Sequence, residues 1–145
     1  MVVREKRTGN SLMVILIVED EYLIGLALAL VLAIAGHHIV GPAASADEAL
    51  QLAQAERPEL AFVDININGD RDGVDVARLL TGEHGTTCIF LTAQLDQARA
   101  AKDVAVGVIT KPYDPNALLQ TVEVAADIRT GLIPTMVPRH LELFA

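Results

Sequence analysis

Several short apolar runs in this chain end in groups that can do chemistry. Glu19 and Asp20 follow MVILIV, Asp64 follows LAFV, Thr92 follows CIFL, and Thr110-Lys111-Pro112 follow VGVI. Three carboxylates packed together repel unless a hard cation holds them, and a small oxygen-lined site that leaves room for a phosphoryl group suits Mg²⁺. Such a cation implies an anion. Lys111 offers a point charge for phosphoryl oxygen, Thr92 a hydroxyl donor and Asp64 a carboxylate nucleophile.

The stretch DININGDRDGVD, residues 64–75, competes with that reading because it resembles a calcium loop: oxygen-bearing side chains stand at positions 1, 3, 5, 9 and 12, with glycine at 6. A calcium loop needs an amphipathic helix on each side, and LAFVD before it is too short and too uniformly apolar for one. Arg71 stands at position 8, where an apolar residue is usual, and Asp75 at position 12 has a shorter arm than glutamate. The stretch is better divided, with Asp64 and Asn66 in the acidic site and NGDRDG as a turn into a helix capped by one of its acids.

For the groups to meet, the apolar runs must lie side by side. Runs at 13–18, 37–43, 60–63, 88–91 and 106–109 alternate with segments of helical character at 22–35, 46–56, 74–83, about 97–102 and 116–129. This alternation predicts an α/β fold with parallel strands joined by crossover helices. Four of the five runs are continuously apolar, as strands covered on both faces must be. In an open parallel sheet ligands bind beyond the carboxyl ends of the strands, where these polar residues fall. SADE, residues 45–48, has capping-box spacing, and Gly36 stands where a left-handed helix stop is expected.

Composition narrows the function. The 145 residues fit one domain, and 52% of them are hydrophobic, enough for its core. With 19 Asp+Glu against 11 Lys+Arg, the net charge of -8 has the wrong sign for a direct nucleic-acid partner. The longest apolar stretch, residues 22–36, is short of the ~20 residues that span a bilayer, and the opening residues make no signal peptide. A cytoplasmic protein without a membrane partner is expected. Cys88, the single cysteine, lies inside an apolar run and reads as a small core residue. The four histidines fall at no metal-ligand spacing.

Through VEDE, FVDIN, FLTA and ITKPY, in order at consecutive strand ends, the chain resembles the receiver domain of bacterial two-component response regulators, over roughly residues 13–129. The resemblance implies a doubly wound five-stranded parallel sheet of flavodoxin-like strand order 2-1-3-4-5. It implies Asp64 as phosphoacceptor, Glu19 and Asp20 as the acidic pair holding Mg²⁺ with Asp64, and the main-chain carbonyl of Asn66 as a further ligand. Thr92 resembles the hydroxyl that follows the phosphoryl group, and Lys111 the lysine that pairs with it. The Lys111-Pro112 bond is expected to be cis.

Two departures from the family stand out. Most receivers carry Tyr or Phe three residues before the lysine, a ring that swings as the threonine moves; here Val108 occupies that position, and the signal is expected to pass through main-chain shifts near the fourth helix. The loop after Asp64 lacks the common proline and looks one residue longer before Gly73. The division expected is a flexible arm over 1–12, a receiver over 13–130 and an apolar tail over 131–145, with no effector domain following.

The apolar tail and the apolar helix at 22–35 invite each other as partners. The area the tail can bury does not by itself offset the entropy of ordering fourteen residues, so docking is expected through a short helix over 138–144 or a homodimer interface.

The function expected is that of a single-domain response regulator. It takes a phosphoryl group from a histidine kinase or histidine phosphotransfer protein onto Asp64, signals to a downstream protein partner, and has no catalytic activity beyond its own phosphorylation and dephosphorylation. The alternative is a pseudo-receiver working as a phosphorylation-independent interaction module. A phosphatase on a similar sheet would want an acid two residues after Asp64, where Asn66 stands.

Overall fold

The structure is a computed structural model that describes residues 12–67, 69 and 71–144. Residues 1–11 of the expected arm lie outside the described residues, as do Asn68 and Asp70 of the loop after Asp64.

Each apolar run forms a strand: β1 (Val14–Val18), β2 (His38–Ala43), β3 (Leu60–Asp64), β4 (Thr87–Thr92) and β5 (Gly107–Thr110). Between them run α1 (Tyr22–Ile34), α2 (Ala46–Glu56), α3 (Gly73–His84) and α4 (Leu95–Ala100), with α5 (Pro115–Arg129) after β5. The first five strands are parallel neighbours in the order β2-β1-β3-β4-β5.

Alternation along the strands explains the two cores. Leu16, Val18, Ala61, Val63, Cys88 and Phe90 face one layer, packed under α2, α3 and α4; Ile15, Ile17, Leu60, Phe62, Ile89 and Leu91 face the other, under α1 and α5. Burial pushes the Cys88 thiol up to about 12, consistent with a core side chain.

Helix starts follow local chemistry. Ser45 Oγ accepts the Glu48 amide, while Glu48 Oε1 reaches back to the Ala44 amide, one residue before a strict capping box. Asp72 caps α3 in a full box with Asp75, so the two acids that would have ended a calcium loop bond each other's main chain instead.

A sixth strand corrects the expected five: β6 (Leu141–Leu143) pairs antiparallel with β5 at the sheet edge. The tail therefore docks as a strand, not as a helix over 138–144, and it docks on the edge of β5, leaving Tyr22, Leu23, Leu30 and Ile34 of α1 exposed. The reason lies in the main chain, since an open edge offers unpaired N–H and C=O groups that reward a short strand directly, a gain that apolar area does not measure. Among the described residues no helix is long and apolar enough to cross a membrane.

Candidate phosphoryl site at the carboxyl edge

The strand order reverses between β1 and β3, and the crevice that this leaves lies beyond their carboxyl ends. Glu19 leaves β1 with its amide bonded to Ala43 O of β2, 2.9 Å. Asp64 is the last residue of β3, paired with Leu91, and Thr92 is the next residue of β4. Lys111 follows β5 directly, its amide donating to Thr92 O at 3.0 Å, and the Lys111-Pro112 bond is cis.

The structure brings the acids together: carboxylate oxygens of Glu19, Asp20 and Asp64 lie within 4.8 Å of one another. Glu19 is 1% exposed and Asp64 5%. Lys111 Nζ donates to Asp64 Oδ2 at 3.0 Å and reaches Glu19 Oε1 at 3.4 Å. The other oxygen of Asp64 accepts the Asn66 amide at 2.9 Å, which fixes the carboxylate's orientation. Thr92 Oγ1 accepts the Gln94 amide at 3.0 Å, holding the hydroxyl at the start of the β4-α4 loop.

The electrostatics show the cost of this gathering. Burial, then the hydrogen bond and charge of Asp64, push the Glu19 carboxyl up to about 7, against the pull of the Glu21 amide and Lys111. For Lys111, burial alone acts downward, but the hydrogen bond and charge of Asp64, joined by Glu19, outweigh it and leave the ammonium raised. One ammonium thus serves two buried carboxylates with Asp20 beside them. This donor set, all oxygen and over-supplied with negative charge, fits a hard divalent cation.

Three contributors had little sequence signal. At Gly73 a Cβ would overlap the Asp64 carbonyl oxygen, so only glycine lets α3 start against the end of β3. Gly25 of α1 likewise admits Pro42, next to Glu19. Tyr113 sits half-buried beside the acids, its hydroxyl pushed up to about 12 by burial and then by the charges of Glu19 and Asp64. Val108 is fully buried in β5, where it pairs with Phe90 of β4 and Glu142 of β6.

A doubly wound sheet with a buried aspartate at its switch point, paired to a lysine and flanked by two further acids, defines a class: flavodoxin-like α/β proteins with an acidic site at the carboxyl edge. Residues 15–123 match the response regulator receiver domain, and the chain belongs to that family. It is 35% identical over 114 residues to the transcriptional regulatory protein PdtaR of Mycobacterium tuberculosis, covering 77% of this chain and 55% of the relative. It is 31% identical to the phyllosphere-induced regulator PhyR of Methylorubrum extorquens, over 70% of this chain and 39% of that protein. The chain thus spans about half the length, or less, of these curated relatives. Among solved structures, the signal receiver domain of a modulated diguanylate cyclase from Desulfovibrio desulfuricans superposes with TM-score 0.76 at 31% identity, over 83% of this chain and 98% of that one.

Proposed function

We propose that this receiver accepts a phosphoryl group on Asp64 from a phosphohistidine of a kinase or phosphotransfer protein and passes the signal on by protein binding in the cytoplasm. The observation that carries the reading is the Lys111-Asp64 pair, 3.0 Å apart, which joins the ends of β5 and β3 beside the acids that follow β1.

In the transfer, the P–N bond to the donor imidazole breaks and a P–O bond to an Asp64 oxygen forms; the nitrogen keeps the electron pair and the imidazole departs. Glu19, Asp20, Asp64 and the Asn66 carbonyl would hold Mg²⁺, which supplies neutralisation of the charge on acceptor and phosphoryl oxygens. The Asn66 amide orients the attacking carboxylate. Lys111, released from Asp64 Oδ2, offers its ammonium to the phosphoryl group, and Thr92 offers its hydroxyl proton. The chain's chemistry ends on its own aspartate.

Output runs through main chain rather than through a swinging ring. Lys111 and Thr92 are linked at 3.0 Å, and the amide of Thr110, one residue earlier, donates to His140 O at 3.0 Å. A shift of the Thr92-Lys111 pair is thereby felt at the β5 edge.

Incubation with acetyl phosphate and Mg²⁺, followed by intact mass, tests the reading. One phosphoryl group should be taken up, and none when the metal is chelated. A chain that stays unmodified under conditions that label another receiver would favour the pseudo-receiver instead.

A further inference from the structure

The way β6 fills the sheet edge defines a binding site. Phe144 N–H donates to Val106 O at 2.9 Å and Thr110 N–H to His140 O at 3.0 Å, bracketing the pairs Gly107/Leu143, Val108/Glu142 and Ile109/Leu141. Gly107 makes the approach possible, because a Cβ there would meet Glu142 O at 2.6 Å and the Leu141 and Leu143 side chains at 3.3 Å. Leu141 is buried in the core layer under α1 and α5, while Phe144 packs against the layer that holds Val104 and Val108. Arg99 of α4 donates twice to the Glu142 carboxylate, at 2.8 and 2.7 Å, in the fork geometry a guanidinium is built for.

The β5 edge therefore selects an extended segment on four counts. It offers main-chain partners, a glycine notch for close approach, apolar seats on both faces and a cation for one carboxylate. These are the elements of recognition by strand addition, where the backbone gives affinity and alternate side chains give specificity. The segment seated there is only three residues of strand, and the ion pair that pins it is exposed at both ends. So short a strand with half-exposed flanks belongs to the low-stability end of a fold.

We infer that the edge of β5 is a binding site for an extended segment of a partner protein with the pattern apolar–acid–apolar–aromatic, and that β6 is its tethered, displaceable occupant. The link through residues 130–140 gives β6 an effective concentration of order mM, so a partner strand must exceed that threshold to enter. Displacement would also free a segment that already exposes Ile133, Met136 and Val137.

The test uses the full chain and a fluorescein-labelled peptide of residues 138–144. The Glu142→Arg chain, in which the tethered strand faces Arg99 with like charge, should bind the peptide about tenfold or more tighter than the unaltered chain by anisotropy. A peptide carrying Glu142→Arg should lose that gain, and Gly107→Val should abolish binding. Equal affinity of the two chains, or no binding to the Glu142→Arg chain, overturns the proposal.

Amide exchange on the unaltered chain keeps the test open if that variant folds poorly. Thr110 and Phe144 should exchange together and at least about tenfold faster than the β3 amides. Protection equal to that of β3 means a fixed strand and overturns the proposal. Light scattering supplies the last outcome: a dimer that falls to monomer with Glu142→Arg would make the occupant a second copy of this chain and overturn the assignment to a partner protein.

Discussion

The two ends of the same sheet treat polar groups in opposite ways. At the amino edge they are closed within the chain. Glu59 Oε1 accepts the Val14 amide at 3.0 Å, His37 Nδ1 accepts the Met13 amide at 3.1 Å, and Thr86 Oγ1 donates to Pro58 O at 3.0 Å. Arg129 spans Glu59 O, Gly85 O and Thr87 Oγ1 at 2.7 to 3.0 Å. At the carboxyl edge, two buried acids share one lysine, and a third acid, Asp20, lies within 4.8 Å of both. One edge spends its polar groups on the fold; the other gathers like charges, an arrangement that suits a ligand more than it suits stability.

The largest effect should come from Asp64→Asn. Phosphoryl uptake should vanish in intact-mass spectra, because the amide is no nucleophile, while the melting temperature holds or rises as one acid leaves the cluster. A mass gain that persists would move the acceptor elsewhere.

Arg129→Ala at the opposite edge should do the reverse. Loss of its hydrogen bonds should cost about 1–2 kcal/mol in urea denaturation and leave the yield of phosphorylation unchanged. An unchanged urea midpoint would mean that water replaces the arginine without penalty.

Asp20→Ala should be milder, raising metal-free stability by at most about 1 kcal/mol and removing most of the stabilisation that Mg²⁺ confers. Thermal melts in chelator and in Mg²⁺ read both. A fall in metal-free stability would make Asp20 chiefly a structural acid.

The last pair of effects is in pH, and they carry opposite signs. In chelated protein Glu19 is raised from 4.5 to about 7, so between those values the folded state binds more protons than the unfolded, and its contribution to stability grows as pH falls from 7 toward 4.5. Burial lowers His37 from 6.5, so the folded state binds fewer protons there, and its contribution is lost as pH drops below 6.5. Glu19→Gln and His37→Asn should therefore tilt the stability–pH curve in opposite directions. Tilts of the same sign would break the comparison.

The contrast between the edges also marks what a sequence can reveal. The acidic site was legible because each of its members ends an apolar run, and a parallel sheet converts that one-dimensional position into a shared edge. The alternation of apolar runs with helical segments placed β1 to β5, and Ser45 the start of α2, while the cap of α3 was narrowed only to one of the acids of NGDRDG, which the structure shows to be Asp72. Less legible were groups whose role depends on a distant approach. Arg129 reads as the last turn of a helix until Glu59 and Gly85 stand beneath it, and Gly107 reads as a weak strand residue until Glu142 O lies against it. The strand of residues 141–143 was hidden by its length, since Leu-Glu-Leu carries too short a pattern to separate from coil. Its place on β5, and not on α1, follows from main-chain groups, which apolar patterning does not count.

The most direct measurement locates the phosphoryl group itself. After incubation with acetyl phosphate and Mg²⁺, borohydride reduces an aspartyl phosphate to homoserine, and peptide mass mapping reads which residue has changed. Conversion at position 64 alone, absent when the metal is chelated, is the predicted result. Conversion at Asp20, Asp72 or any other acid with Asp64 intact would contradict the account.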